Sequence, residues 1–470
     1  MESFASAVEV AAAVRGRVIS PVEVLDACLD RVDKLNPELN AVIWRNDEEA
    51  RAEAQALADA LVSGVVEPGP FAGVPVPIKD LTPVEGWPVT YGSCGAAEGV
   101  SGEGELVTEA LRTAGFVLCG RTNTPEFGPL TVAENSRYGI TRNPWDPGRS
   151  PGGSSGGASS AVAAGMFSVA HANDGGGSIR IPASCCGLVG LKPSRGRVPA
   201  RAPGWLGMVS EGVVSRTVAD TAAILDCISG PDPLSWENAP APERPFAAEV
   251  GAGQGRLRVA LNVTSALGIA VEQAPRAAVE AAGRILEGLG HEVVILDEDV
   301  LDPAAIGSFL HVVNAGYGDF PDVDWSKVEP HNAAGHAAGL AVDGITLVES
   351  LRDLRLASRA VTARWGRDFD VLVTPTMAIE PPVAGAVLAE AHAHPDAPDA
   401  TVLAMVAFTA VFNITGQPAI SLPLHWSEAG LPVGVQFVGG PWQDSLLLRL
   451  ASQLEEASPW AQRRPPLSAS

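Results

Sequence analysis

The chain has 470 residues, 46% of them hydrophobic and 19% charged, with a formal net charge of −23. That balance describes a folded globular chain long enough for a large core, and excludes a disordered or fibrous one. The acidity argues against a nucleic-acid partner, because binding a phosphate backbone needs a basic field that releases counterions.

Residues 1–17 include Glu2 and Glu9 and have no apolar run, so no secretory signal is expected. No stretch of about 18 apolar residues offers a membrane-spanning helix. The six cysteines, with Cys185 and Cys186 adjacent and no C-x-x-C pair, read as reduced, small core residues. A cytoplasmic location without membrane contact is therefore expected.

Ser20 as N-cap, Pro21 at the first helical position and Glu23 three residues past the cap predict a helix running to Leu35. The alanine-rich residues 48–61 predict another. Residues 73–79 contain Pro75 and Pro77, which exclude a helix but are tolerated in an edge or entry strand; Lys79 falls at its inner end. Beyond them, helices are predicted over 105–114, 155–165, 217–229, 275–289, 347–365 and 445–454. They alternate with buried strands over 116–119, 167–172, 256–261, 291–296, 370–373, 419–422 and 432–438. Such alternation predicts an α/β sheet covered by helices on both faces. Residues 230–255 and 385–400, rich in Pro and Ala, read as long surface connections without a clean domain boundary.

Two glycine-flanked serine clusters carry the chemistry. Residues 152–157 read Gly-Gly-Ser-Ser-Gly-Gly and 175–178 read Gly-Gly-Gly-Ser. The first resembles a flexible linker, but the alanine-rich run after Ser155 places it at a helix N-terminus, where free N–H groups favour negative charge. A phosphate cradle lacks the lysine that should follow the last glycine. The G-x-S-x-G pattern of a nucleophile elbow needs a strand before the serine, and Pro144, Pro147 and Pro151 forbid one. Ser178 fits a nucleophile better, since Gly175, Gly176 and Gly177 leave consecutive N–H groups bare to hold an oxyanion.

A serine nucleophile needs a base. His171 lies on a predicted buried strand and reads as structural. His392 and His394 with Asp396 read as a solvated segment, not a metal site, and His331 and His336 are poorly spaced for one helix face. Lysine remains, with Lys79 and Lys192 as candidates; burial that lowers a lysine pKa makes it a neutral base. For Lys192, followed by a turn, the structural reading leads.

Residues 76–80 (Val-Pro-Ile-Lys-Asp), 121–126, 152–157, 174–182, 190–197 and 413–423 together resemble the amidase signature family, in that family's order. The resemblance runs from about residue 6 to 460 and is weakest between 230 and 350. It implies one amidase domain over 1–470, with a catalytic core near 65–230, a more variable substrate side near 230–400, and one large mixed β-sheet between helices. It further implies a triad of Ser178 as nucleophile, Ser154 as relay after a cis peptide, and Lys79 as neutral base. The 75 residues between Lys79 and Ser154 and the 24 between Ser154 and Ser178 suit this pattern. Gly175, Gly176, Gly177 and Ser178 would form the oxyanion hole, supported by Ser155, Asp174 and Arg180, with no metal or cofactor. Gly175 stands where the family often carries a side chain such as threonine, which predicts more room and a looser loop.

The same resemblance places Gly128, Pro129, Leu130, Thr131, Tyr138, Ile179, Trp205, Met208, Phe412 and Gln417 around the substrate. The large, uncharged side chains of residues 204–208 predict an uncharged, partly aromatic or aliphatic substrate. The resemblance implies small aryl or alkyl amides, cyclic or linear oligoamides, carbamates or esters, cleaved by a monomer or homodimer. The alternative is the glutamine-hydrolysing component of a tRNA-dependent amidotransferase, which should show charged residues for glutamine and a partner surface. A non-enzymatic anion-binding protein is the remaining reading.

Overall fold

The computed structural model describes residues 3–64, 69–298, 300, 304–320, 322–397 and 399–469. The helix Pro21–Leu39 begins as its cap predicts: Ser20 Oγ accepts from the Glu23 N–H, and the Glu23 carboxylate accepts from the Ser20 N–H. A helix not anticipated from the sequence, Ala7–Arg15, precedes it and buries Ala7, Val10, Ala11 and Val14 in the core.

The large sheet has eight strands in the spatial order Glu292–Ile295, Arg258–Leu261, Val371–Pro375, Pro432–Val438, Ala419–Trp426, Val189–Lys192, Ser210–Ser215, Val169–Asp174. The first three run parallel and the remaining pairings are antiparallel, so the sheet is mixed. Its central strands obey the two-residue period. Ile420, Leu422, Val435 and Phe437 join a core cluster with Ala278, Val279 and Ala282 of helix Gln273–Gly288 and Leu447 of helix Asp444–Ala457. The alternate positions Ser421, Gly434 and Gln436 meet helix Arg180–Cys186 on the other face. That polar face carries Arg180 and the turn before it.

A second, three-stranded sheet has the order Val42–Trp44, Val117–Thr122, Pro75–Lys79. Pro75–Lys79 is its edge, as its prolines require, and pairs parallel with Val117–Thr122. Its end meets the outermost strand of the large sheet, where the Lys79 N–H donates to His171 Nδ1 at 3.4 Å. The two sheets therefore converge on Lys79.

Three expectations are corrected. The strand over 292–295 is an edge, not a buried strand: Ile295 is 67% exposed. Residues 385–400 are not a plain connection, because helix Ala386–Ala393 forms there. Not all cysteines are core residues, since Cys94 is exposed and Cys227 half-buried, although all six are free. The expected core boundary near residue 65 lies outside the described residues. Among the described residues, no helix is long and apolar enough to cross a membrane.

Candidate active site

Lys79 is fully buried, and its Nζ donates to Ser154 Oγ at 2.6 Å and Asn173 Oδ1 at 2.7 Å. Burial lowers its pKa to about 7, against the opposing pull of the Glu211 and Asp174 carboxylates. An amine that titrates there is neutral in an appreciable fraction of molecules at neutral pH and can take a proton from a bound hydroxyl. The Lys79 N–H faces Nδ1 of His171, so the ring proton lies on Nε2 and is donated to Glu211 Oε2 at 2.8 Å. His171 thus links the Lys79 backbone to Glu211, in keeping with its structural reading.

Ser154 follows a cis peptide bond from Gly153. It sits just before helix Gly156–Ala163, and the backbone of Val132 packs directly on Gly153. The next residue joins the two serine clusters: the Ser155 N–H donates to Ser178 C=O at 3.3 Å, and Ser155 Oγ donates to Asn173 C=O at 3.2 Å. Ser154 and Ser178 open onto the same cavity, of about 270 Å³.

The 175–178 turn is held from within by Asp174. Its Oδ1 accepts from the Gly177 N–H at 2.8 Å and its Oδ2 from the Ile179 N–H at 3.1 Å. Arg180 then grips both oxygens, through Nη2 at 2.8 Å and Nε at 2.9 Å. Burial alone would raise the Asp174 pKa, but the Arg180 charge and these hydrogen bonds more than offset it and hold the carboxyl well below its usual range. The remaining Arg180 donors reach Thr409 C=O, Gln436 Oε1 and Asn413 Oδ1 at 2.9, 2.7 and 2.6 Å. Thr409 Oγ donates to Gly176 C=O at 2.6 Å. Gly177 has φ +137°, and a Cβ there would overlap the Thr409 hydroxyl, so only glycine fits.

The space above Gly175 corrects the expectation of a roomier loop. A Cβ at Gly175 would lie 2.8 Å from the Trp205 ring, and one at Gly316 would strike the other side of the same indole. Trp205, in a left-handed turn with φ +51°, is wedged between two glycines and lines the cavity.

Of the residues placed around the substrate by resemblance, Gly128 and Trp205 line this cavity. The others lie elsewhere. Ile179 is core, Met208 packs in a cluster with Ile414, and Thr131 Oγ donates to Met405 Sδ at 3.1 Å. Leu130 and Phe412 border two separate cavities, Pro129 is part-exposed, and Gln417 Nε2 donates to Gly439 C=O. Tyr138 lies under the Arg137 guanidinium. Lys192 is also buried, with its pKa lowered to about 7 by burial and the Arg180 charge, but its Nζ donates to Pro193 C=O and does not reach the cavity.

Cavity residues that the sequence did not point to include Tyr91 and Phe320; their rings cluster with that of Phe127, from the expected 126–131 segment, with centroids 4.8–6.5 Å apart. Glu105, Glu211 and Asp319 also line it, which makes the wall acidic. Glu211 was within reach of sequence reasoning, since it follows the 204–208 segment. The others come from distant loops whose side-chain directions no spacing reveals.

The Amidase family model matches residues 23–320 and 326–448. A curated relative, the 6-aminohexanoate-cyclic-dimer hydrolase of Pseudomonas sp. (strain NK87), is 36% identical over 97% of this chain and 95% of its own. The solved structure of a 6-aminohexanoate cyclic dimer hydrolase with substrate superposes with a TM-score of 0.91 at 35% identity, covering 100% of both chains. A bacterial aryl acylamidase of the amidase signature family gives 0.87 at 26% identity, over 98% of this chain and 97% of its own. A component of the glutamyl-tRNA(Gln) amidotransferase from Thermotoga maritima is more distant, at 0.76 and 26% over 96% of this chain and 95% of its own. With the family model and these relatives spanning nearly all of its length, the chain belongs to the amidase signature family and is an amide-hydrolysing enzyme.

Proposed function

We propose that the enzyme cleaves the C–N bond of small amides through an acyl-enzyme on Ser178, with Ser154 as proton relay and Lys79 as base. The observation that carries this reading is the placement of Lys79 Nζ 2.6 Å from Ser154 Oγ, with both serines on one cavity. Neutral Lys79 draws the Ser154 proton as Ser154 takes that of Ser178, and Ser178 Oγ attacks the carbonyl carbon. The oxyanion is held by the N–H groups of Gly175, Gly176 and Ser178, in a turn that Asp174 and Arg180 brace; the expected Gly177 N–H is not among them, because it is committed to Asp174 Oδ1. One such donor contributes on the order of 100- to 1000-fold in rate. Ser154 then returns the proton to the leaving amine, and water releases the acyl group by the same relay.

The aromatic wall of Tyr91, Phe127, Trp205 and Phe320 supports aryl, alkyl or oligoamide substrates, cyclic or linear. Carbamates use the same nucleophile and oxyanion hole and belong to the same proposal. Glu105, Glu211 and Asp319 could meet the ammonium of glutamine, but among the described residues no Lys or Arg lines the cavity to hold its carboxylate, which disfavours the amidotransferase alternative. The test is a panel of anilides, aliphatic amides, cyclic and linear oligoamides, carbamates and glutamine, assayed with wild type, Ser178→Ala and Lys79→Ala. Hydrolysis of neutral amides that falls at least about 10³-fold in both variants is expected. Activity unchanged by Ser178→Ala, or glutamine hydrolysis that needs a partner protein, would overturn it.

A further inference from the structure

Outside this cavity, the first turn of helix Pro330–Leu340 meets helix Ala386–Ala393. Glu329 Oε2 lies 3.7 Å from His331 Nε2 and 3.8 Å from His392 Nε2, and one donor atom from each of the three side chains lies within 4.8 Å of the others. The Glu329 and His331 side chains are 3% and 9% exposed, and His392 is 34% exposed. Glu329 Oε2, both ring nitrogens of His331 and Nε2 of His392 have no hydrogen-bond partner. Buried polar atoms are nearly always paired, so three orphans drawn together, one from each side chain, call for a ligand they share.

We propose that Glu329, His331 and His392 form a binding site for a divalent transition-metal cation, with zinc the best match to the donors. Two imidazole nitrogens and one carboxylate oxygen suit zinc, whereas calcium and magnesium take all-oxygen shells. Bond lengths of about 2.0–2.2 Å put the donors of a tetrahedral zinc roughly 3.3–3.6 Å apart. The two contacts to Glu329 are already near that spacing, and rotation of the part-exposed His392 closes the remainder. A cavity of about 190 Å³, lined by His331, His394 and Asp399 among others, lies beside the cluster.

The carboxylate is already aimed, because Glu329 Oε1 accepts from the Ser136 N–H at 2.6 Å. The site's role follows from its attachment. The Glu329 N–H donates to Glu126 Oε2 at 2.7 Å, and Glu126 directly precedes Phe127 and Gly128 of the active-site wall. A metal here would clamp two helices to the segment that carries that wall, and would take no part in bond cleavage.

The experiment uses the full chain, stripped with a chelator and titrated with Zn²⁺ against a chromophoric competitor. Wild type, His331→Ala, His392→Ala, Glu329→Gln and, as control, Ser178→Ala are compared. One zinc per chain is expected for wild type and Ser178→Ala, with affinity at least about tenfold weaker in the other three. Zinc should also raise the unfolding midpoint of wild type by several degrees and leave that of His392→Ala unchanged, while Mg²⁺ does neither. Stoichiometry below one zinc per chain, or equal binding by the His392→Ala protein, would overturn the proposal. His392 is part-exposed, so its variant should fold even if Glu329→Gln does not. The Ser178→Ala control separates this result from any failure of the hydrolytic proposal.

Discussion

Lys79 and Glu211 are coupled through the buried site: the carboxylate raises the pKa of an amine that burial lowers to about 7. The proposed base works only when neutral, and the neutral fraction grows as pH rises. The kcat/KM profile should therefore climb through an acid limb near pH 7 and then level off. Glu211→Gln removes the main opposing charge, so the Lys79 pKa should fall further and the limb should move to lower pH. A limb that stays in place or moves up would show that Lys79 is not the titrating group.

The same residue should cost stability. A lysine whose folded pKa lies below its unfolded value of about 10.4 favours the unfolded state at every pH below that unfolded value. The penalty is largest at and below the folded pKa and disappears as pH rises through 10. Lys79→Met should thus be inactive yet more stable at pH 7, by on the order of 2 kcal/mol. That figure follows from a pKa penalty of about 4 kcal/mol, partly offset by the acceptor left unpaired on Asn173. Denaturant unfolding at pH 7 and 9.5 checks it: the gain should shrink at the higher pH.

Trp205 and Gly175 should behave as one unit. Gly175→Ala puts a methyl where the indole stands and should lower kcat/KM at least about tenfold by displacing the turn or the ring. Trp205→Ala opens that space, so the double variant should recover much of the loss specific to Gly175→Ala. A double-mutant cycle with no coupling would mean that the two do not meet in the working enzyme.

Arg180 braces the 175–178 turn through Asp174 with donors that lysine cannot reproduce. Arg180→Lys should leave Asp174, Gln436 and Asn413 incompletely satisfied, destabilise the protein by about 3 kcal/mol or more, and lower kcat more than it raises KM. Thermal unfolding and steady-state kinetics on one preparation give both readings.

The acidic wall of Glu105, Glu211 and Asp319 should select by charge. An anilide bearing a carboxylate on its acyl chain should be cleaved at least about tenfold less efficiently than its neutral isostere. The gap should narrow in high salt, where screening weakens exposed charges. Equal rates for the pair would remove these carboxylates from substrate recognition.

Much of this enzyme was legible in its sequence because its strongest signals are local. Ser20 and Glu23 cap a helix through neighbours, the prolines at 75 and 77 force an edge strand, and the central strands stand out by their apolar runs. The Lys79–Ser154 contact was reachable only through family resemblance, since 75 residues separate the two. What stayed hidden depends on side-chain direction and distant loops. Ile179 adjoins Ser178 yet faces the core, whereas Tyr91 and Asp319 reach the cavity from segments without any motif. His331 and His392 looked unrelated because their meeting depends on how two helices pack. The extra room expected at Gly175 failed for the same reason, as the ring that fills it belongs to another turn.

The Asp174–Arg180 brace rests on Thr409, Asn413 and Gln436, residues 229 to 256 positions downstream of Arg180. During synthesis the two serine clusters leave the ribosome long before the segment that steadies them. A chain truncated before residue 409 would carry Lys79, Ser154 and Ser178 but lack the side chains that hold Arg180 in place, and should show no activity.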